Sequence, residues 1–498
     1  MSELSLEDPD ALLVSDGSQV LSRADFNTLV NRTMALLDGV GVSSGDRCGI
    51  LALNSADYMV ATVATALMGV DPVPISWHLS QSEVAYILEN SRCVGIFVDS
   101  EHEATGSEAA RSAGVDRVLA MGDRLSDLAD GYSADEQPER GFSSPLYFTS
   151  GTTGRPKGTQ MSQLRSSTTA TEFAVDAVTK GVGPATVHLT VGPLYHAGPL
   201  TQAIRTVMVG GRLHIMSRFD AEQALALIDE HQITDTICVP IHLVRLLRLP
   251  EETRGAYDVS SMQRIFHIAA MMPPDVKRGV IDWFGPVVTD GYGASEVGVV
   301  TQIGSEEWLE RPGSVGRPIP HMHIEIIGDD DEPVPNGEVG HIFISNDAGL
   351  DISYVDDAEK TAAAHRRPGQ FTLGDLGWLD DDGYLYLADR RVDLIISGGV
   401  NIYPAEVETH LIVHPAVDDV GVFAVPDSEW GHAVKAAVKL RDGYEGTPEL
   451  EADMQAWLSD RIARYKVPGS IDFVDDMPRF SNGKLHRREL REPYWTGQ

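Results

Sequence analysis

Short apolar runs of strand length alternate with helical stretches from residue 47 onward, and this alternation restricts the chain to sheets built largely of parallel strands. Arg47 to Leu53 reads as a buried strand, Ser55 to Gly69 as a helix and Val94 to Asp99 as the next strand. Ser80-x-x-Glu83 opens the helix between them as a capping box. Strand, helix and strand in succession require crossovers, which sterics make right-handed. Residues 126–144 turn polar and acidic, so a surface excursion is expected before a strand over Pro145 to Thr149. From His321 to Ser345 the apolar period falls to two and Asn336-Gly337 supplies a turn, so hairpins replace crossovers. A further pair of short strands meets at Asp381-Asp382-Gly383. The C-terminal part then reads as helix Pro404 to His414, strands Val420 to Val425 and Ala433 to Leu440, and helix Leu450 to Tyr465. An α/β architecture follows, with a domain boundary near Asp389 to Val392.

Asp and Glu number 74 against 39 Lys and Arg, a formal net charge of −35 over 498 residues. A nucleic-acid partner is therefore not expected, because a duplex binder needs a cationic face and no basic run supplies one. The same charge slows long-range approach of anionic ligands. The longest apolar stretch, Met59 to Val70, is short of the ~20 residues of a membrane span. The opening MSELSLEDPD lacks the regions of a secretory signal, and Cys48, Cys93 and Cys238 are odd in number and far apart, so a reducing cytoplasm is expected.

The most informative segment is Thr149-Ser150-Gly151-Thr152-Thr153-Gly154-Arg155-Pro156-Lys157-Gly158, directly after an apolar strand. Three glycines, four hydroxyls and two cations make a loop able to wrap an oligophosphate with N–H groups, hydroxyl donors and charge. It is not a Walker A loop, since the spacing of Gly151 and Gly154 differs and Lys157 is followed by Gly158. Further segments follow in order: Pro193-Leu-Tyr-His-Ala-Gly198, Gly291-Tyr-Gly-Ala-Ser-Glu296, Gly313-Ser-Val-Gly316, Gly374-Asp375, Asp389-Arg-Arg-Val-Asp393, Ser397-Gly-Gly-Val-Asn-Ile-Tyr-Pro-Ala-Glu-Val-Glu408, Tyr465-Lys-Val-Pro468 and Ser481-Asn-Gly-Lys484.

Spread over nearly the whole chain, these segments resemble the adenylate-forming superfamily of acyl-CoA synthetases, peptide-synthetase adenylation domains and beetle luciferases. The resemblance implies a large N-terminal domain (1–389) of two α/β subdomains plus a β-barrel subdomain, and a small mobile α+β C-terminal lid (390–498). It implies an ATP- and Mg²⁺-dependent enzyme that joins a carboxylic acid to AMP, releases pyrophosphate, and passes the acyl group to CoA. Attack of a carboxylate on a phosphate joins two anions, so catalysis consists largely of charge neutralisation and in-line positioning. On the matching positions, residues Thr149 to Gly154 and Lys157 would hold ATP phosphates, Tyr292 would stack near adenine beside Gly293, and Ser295 would bond the phosphate or the acid's carboxylate region. Glu296, beside a tight turn at Gly293, resembles the metal ligand. Asp375 suits two ribose hydroxyls, since an ionised carboxylate accepts both, and Arg390 would donate to the same ribose. Lys484 would bridge the acid's carboxylate and the phosphate as charge shifts between them. It is one of only eight lysines in the chain.

His196 occupies a position that lines the acyl pocket in the family and moves between half-reactions. His242, Met271 and Met272 stand where relatives carry other residues; each is read either as pocket wall, with Gly293 and Ala294, or as core packing. Val392 replaces the usual Asp or Lys of the lid hinge, Gln163 a common His, and Leu373 a common Thr. Gly398 and Gly399 resemble the loop lining the pantetheine passage, where missing side chains let a chain slide through. CoA is the favoured acceptor, with an aromatic or heteroaromatic acid slightly preferred. An amine that traps the adenylate to form an amide, or a separate carrier protein, remain alternatives. A peptide-synthetase module is not expected, because only 14 residues follow Lys484. A non-catalytic protein of this fold would be expected to lose Lys484, Glu296 or the phosphate loop.

Overall fold

A computed structural model describes residues 8–149, 157–161, 169–268, 272–347, 349, 351–354, 358–390, 393–397, 400–427, 431–479 and 485–495. The alternation read in the sequence is present. Asp71–Pro74, Arg47–Leu51, Gly95–Val98 and Arg117–Ala120 form a four-stranded parallel sheet in that spatial order. The helix Ala56–Leu67 is apolar all round apart from threonines and two polar residues near its start, and every one of its residues is buried. It lies against the helices Arg23–Gly39 and Ala197–Met208, and Ser55 caps it by accepting the Tyr58 N–H at 3.1 Å. The helix Gln81–Ser91 begins as expected: Glu83 accepts the Ser80 N–H at 2.8 Å and the Ser80 hydroxyl at 2.7 Å.

A second, larger sheet changes character midway. Leu12–Ser15, Arg212–Ile215, Val187–Thr190, Asp235–Cys238, Arg264–His267 and Val288–Ala294 run parallel as neighbours. From Val288–Ala294 onward the sheet continues antiparallel through Gly298–Gly304, Ser314–Pro318, Leu385–Arg390, Gln370–Leu379, Gly340–Asn346 and Met322–Ile327. The crossover half and the hairpin half are thus one hydrogen-bonded surface, joined at the hairpin that carries Gly291 to Glu296. In parallel sheets, ligands gather beyond the carboxyl ends of the strands, and this hairpin sits there.

The C-terminal region has its own core of Val407, Leu411, Val422, Val438, Met454 and Leu458, over a sheet of Val417–Asp427, Gly431–Leu440 and Ser470–Val474. Some expected bounds need correction. The helix expected to reach Tyr465 spans Pro448–Ser459; beyond it Ile462 turns into the core and Arg464–Lys466 form one 3-10 turn, with Val467 held extended before Pro468. The helix expected to reach His414 ends at Leu411, because Pro415 disfavours helical backbone before it. The strand before Asp381 is not short but runs Gln370–Leu379. Within the acidic excursion Phe142 is buried and packs on Phe173 at 4.7 Å, anchoring the segment. Among the described residues no helix is long and apolar enough to cross a membrane.

Candidate active site

The hairpin Val288–Ala294/Gly298–Gly304 places its motif by backbone crowding. Gly293 is not the turn itself: it lies in the strand at a register shift next to Tyr292, and the turn is Ser295 to Val297. A Cβ on Gly293 would stand 1.9 Å from the Gly298 carbonyl oxygen, so the strands close on each other only because that atom is missing. Tyr292, nearly buried, donates its hydroxyl to Asp375 Oδ2 at 2.9 Å across 83 residues of sequence. Asp375 in turn is the cross-strand partner of Arg390. The three residues assigned to the nucleoside are therefore brought together by one sheet.

Ser295, Glu296, Ala294, Gly293, His196 and Asp375 border one cleft of about 2550 Å³. His196 ends the Pro193 to His196 turn and forms the N-cap of the helix Ala197–Met208, its ring 4.4 Å from that of Tyr195. Glu296 is a single carboxylate, and among the described residues no group of three or more His, Cys, Asp or Glu is arranged to hold a metal ion. That donor set fits Mg²⁺, which takes few carboxylates and brings phosphate oxygens and waters. Thr149 and Lys157 face each other across the strands Tyr147–Thr149 and Lys157–Met161, so the phosphate-loop sequence links the two strands of a hairpin. Ser150, Gly151, Thr152, Thr153, Gly154, Met271, Val392, Gly398, Gly399 and Lys484 lie outside the described residues.

The C-terminal region borders the same cleft through Leu485, His486 and Arg479. Arg487 ties this segment to two other motifs, donating to Asp393 at 3.2 Å and Glu408 at 2.6 Å, while Glu408 also accepts the Val422 N–H. Two motifs, ending at Asp393 and Glu408, thus meet the segment after Lys484 in one ion cluster.

Other residues of the site carry no motif. Asn54, nearly buried, donates to the carbonyls of Gly192 and Met216 and accepts the Leu194 N–H at 2.7 Å, stapling the loop that presents His196 to the first sheet. Lys277 is fully buried and pairs with Asp290 at 2.6 Å; its place on the apolar face with Val276, Val280 and Phe284 was the available sign. Burial would raise the Asp290 carboxyl, but His267 and Lys277 hold it below the ordinary range. His242 and Met272 both border the cleft. Burial, then Arg245, pushes the His242 imidazole down to about 4, so it is neutral at neutral pH. Met272 also packs on the core of the crossover half.

The profile of the AMP-binding enzyme family matches residues 5–350, and that of the AMP-binding enzyme C-terminal domain matches residues 406–484. A feruloyl-CoA synthase of Amycolatopsis sp is 32% identical over 493 residues, covering 98% of this chain and 96% of its own. The structure of o-succinylbenzoate CoA synthetase from Bacillus subtilis, in complex with its acyl-adenylate intermediate, superposes with a TM-score of 0.82 at 28% identity, covering 98% of this chain and 97% of that one. The amide bond synthetase McbA from Marinactinospora thermotolerans gives a TM-score of 0.82 at 25% identity over 99% of both chains.

Proposed function

The chain belongs to the AMP-binding enzyme family, and from that premise we propose that it is an ATP-dependent ligase that activates a carboxylic acid as its acyl-adenylate and transfers the acyl group to CoA. The observation that carries this reading is the Tyr292–Asp375 hydrogen bond. It brings two motifs to one cleft that the segment immediately after Lys484 also borders. Asp375, with one oxygen fixed by Tyr292, orients the ribose; Arg390 lies opposite it on the neighbouring strand. Ser295 and the 149–157 hairpin hold phosphate oxygens, and Glu296 would hold Mg²⁺, which supplies positive charge against the departing pyrophosphate. Lys484 neutralises charge between carboxylate and phosphate as the new bond forms. His196 stands between the acid pocket and the reacting atoms. Residues 390–498 act as the lid, turning about Val392 so that Gly398 and Gly399 line the path of the thiol. The reading is cytoplasmic; Cys48, Cys93 and Cys238 are buried free thiols.

The likeness to an amide bond synthetase over the whole chain supports a second reading, in which an amine and not CoA takes the acyl group. A pyrophosphate-release screen over a panel of acids, with CoA and simple amines supplied separately and products identified by mass spectrometry, decides between them. Acyl-CoA from an acid that is adenylated is the expected result. Efficient amide formation, with no acyl-CoA from any adenylated acid, would replace the first reading by the second.

A further inference from the structure

His242 and His267 stand at neighbouring strand ends. His267 is the last residue of Arg264–His267 and pairs in register with Cys238, the last residue of Asp235–Cys238; His242 sits in the first turn of the helix that follows. Both border the cleft, and both are more than nine-tenths buried, at 9% and 4% exposure. Among the described residues the Nδ1 of His242 has no hydrogen-bond partner. His267 Nδ1 lies 3.2 Å from Asp290 Oδ1 without the alignment of a hydrogen bond, and among the described residues its Nε2 has no partner. Native proteins rarely leave a buried polar nitrogen without a partner.

Lys277 neutralises Asp290 at 2.6 Å, and His242 sits at the positive end of its helix, which disfavours protonation. The His242 ring is therefore neutral, able to donate from one nitrogen and accept at the other. The Phe219 ring lies 4.4 Å from that of His242, and Gly291 and Gly293 border the same cleft without side chains. A Cβ on Gly198 would stand 2.5 Å from Ile268 Cδ1, so Ile268 fills the room beside that glycine. A pocket for an alkyl chain would lose nothing by carrying leucine at both histidine positions.

Resting on the ligase reading above, we propose that the acid is a planar aromatic carrying a hydrogen-bonding group besides its carboxylate, a hydroxyl or a ring nitrogen, and that His242 is the residue that reads this group. Sites built to bond a polar substituent reject the analogue that lacks it far more strongly than apolar pockets reject an added methylene. The test compares matched acids by kcat/KM for pyrophosphate release: 4-hydroxycinnamate against cinnamate, indole-3-acetate against 1-naphthylacetate, with decanoate as the alkyl probe. The parent should favour the heteroatom member of at least one pair by about tenfold or more and disfavour decanoate. His242→Phe, which keeps a ring on Phe219, should shrink that ratio to about threefold or less, and His242→Asn should retain most of it. A loss of folding or of catalytic competence scales both members of a pair alike and leaves the ratio unmoved. Equal turnover of both members by the parent, a preference for decanoate, or a ratio that survives His242→Phe would overturn the proposal. Background release from every acid, decanoate included, in a protein that still gains thermal stability from ATP is a different failure: it removes the acid-ligase reading, and this inference with it.

Discussion

Asp235 shows how single residues set the electrostatics beneath the cleft. It accepts from His188 Nδ1 at 2.6 Å, Gln202 Nε2 at 2.9 Å and Arg264 Nε at 2.5 Å, in the middle of the parallel strands. Burial alone would raise its carboxyl, but His188 and then Arg264 hold it at about 2. Its stabilisation is complete above the unfolded value near 3.9 and fades only as pH falls toward 2. His214 acts in another window. Buried and stacked on His231 at 4.1 Å, it is pushed down to about 4, first by burial and then by His231 and Arg212. Between about 6.5 and 4 the unfolded chain binds a proton that the folded one refuses, so stability falls as pH is lowered, by up to ~1.4 kcal/mol per pH unit from this group. His214→Phe should therefore lose less Tm than the parent between pH 7 and pH 4.5 in calorimetry; parallel declines would show that His214 is not a source of the slope. At the reacting centre, Lys484→Ala should abolish adenylation but leave CoA transfer from a supplied acyl-adenylate within about tenfold, because its charge is needed only while the acyl-phosphate bond forms. Equal loss in the two single-turnover assays would contradict that role.

The hairpin Val288–Gly304 is the element on which the site turns. Its two strands belong to different halves of the large sheet, one edge pairing parallel with Arg264–His267 and the other antiparallel with Ser314–Pro318. Any widening of it moves Tyr292, Ser295 and Glu296 together relative to Asp375. Gly293→Ala sets a methyl group against the Gly298 carbonyl, where no flexible side chain can give way. It should cost ~2 kcal/mol or more in urea denaturation, with adenylation lost beyond what the lower stability explains. An alanine variant of unchanged midpoint and rate would mean that the strands separate freely here. Gly198→Ala makes a useful contrast, since its nearest neighbour is the end of the Ile268 side chain, which can rotate. The helix Gln81–Ser91 shows an element whose start is local chemistry alone, with Glu83 bonded back to Ser80.

For the whole molecule, Arg248 ties the N-terminal domain to the C-terminal domain. Its guanidinium donates to the carbonyls of Ile412 at 3.1 Å, Val417 at 2.8 Å and Asp418 at 3.3 Å, and to the Asp418 carboxylate at 3.3 Å. Most of these acceptors are backbone, so the contact reads the shape of the C-terminal domain and not its composition. Arg248→Leu should slow adenylation about tenfold, the ~1.4 kcal/mol of one lost charged hydrogen bond, and increase protease cleavage between body and lid. Unchanged proteolysis and an unchanged rate would leave Arg248 outside the docking. Much of this molecule was legible in the order of its residues: the crossovers from the helical and strand periods, the capping of Ser80 by Glu83, and the family from Thr149 to Lys157, Gly291 to Glu296 and Asp375. Those features depend on local periodicity, or on short strings whose chemistry is complete within ten residues. What only tertiary structure decided are relations between distant side chains. Tyr292 meets Asp375 because the parallel and antiparallel halves are one sheet; Asn54 binds two loops that no spacing connects; and His242 and His267 become neighbours through the register of Cys238 with His267. An unpartnered nitrogen is invisible in a sequence, because every histidine carries the same two, and only packing determines which of them is left without a partner.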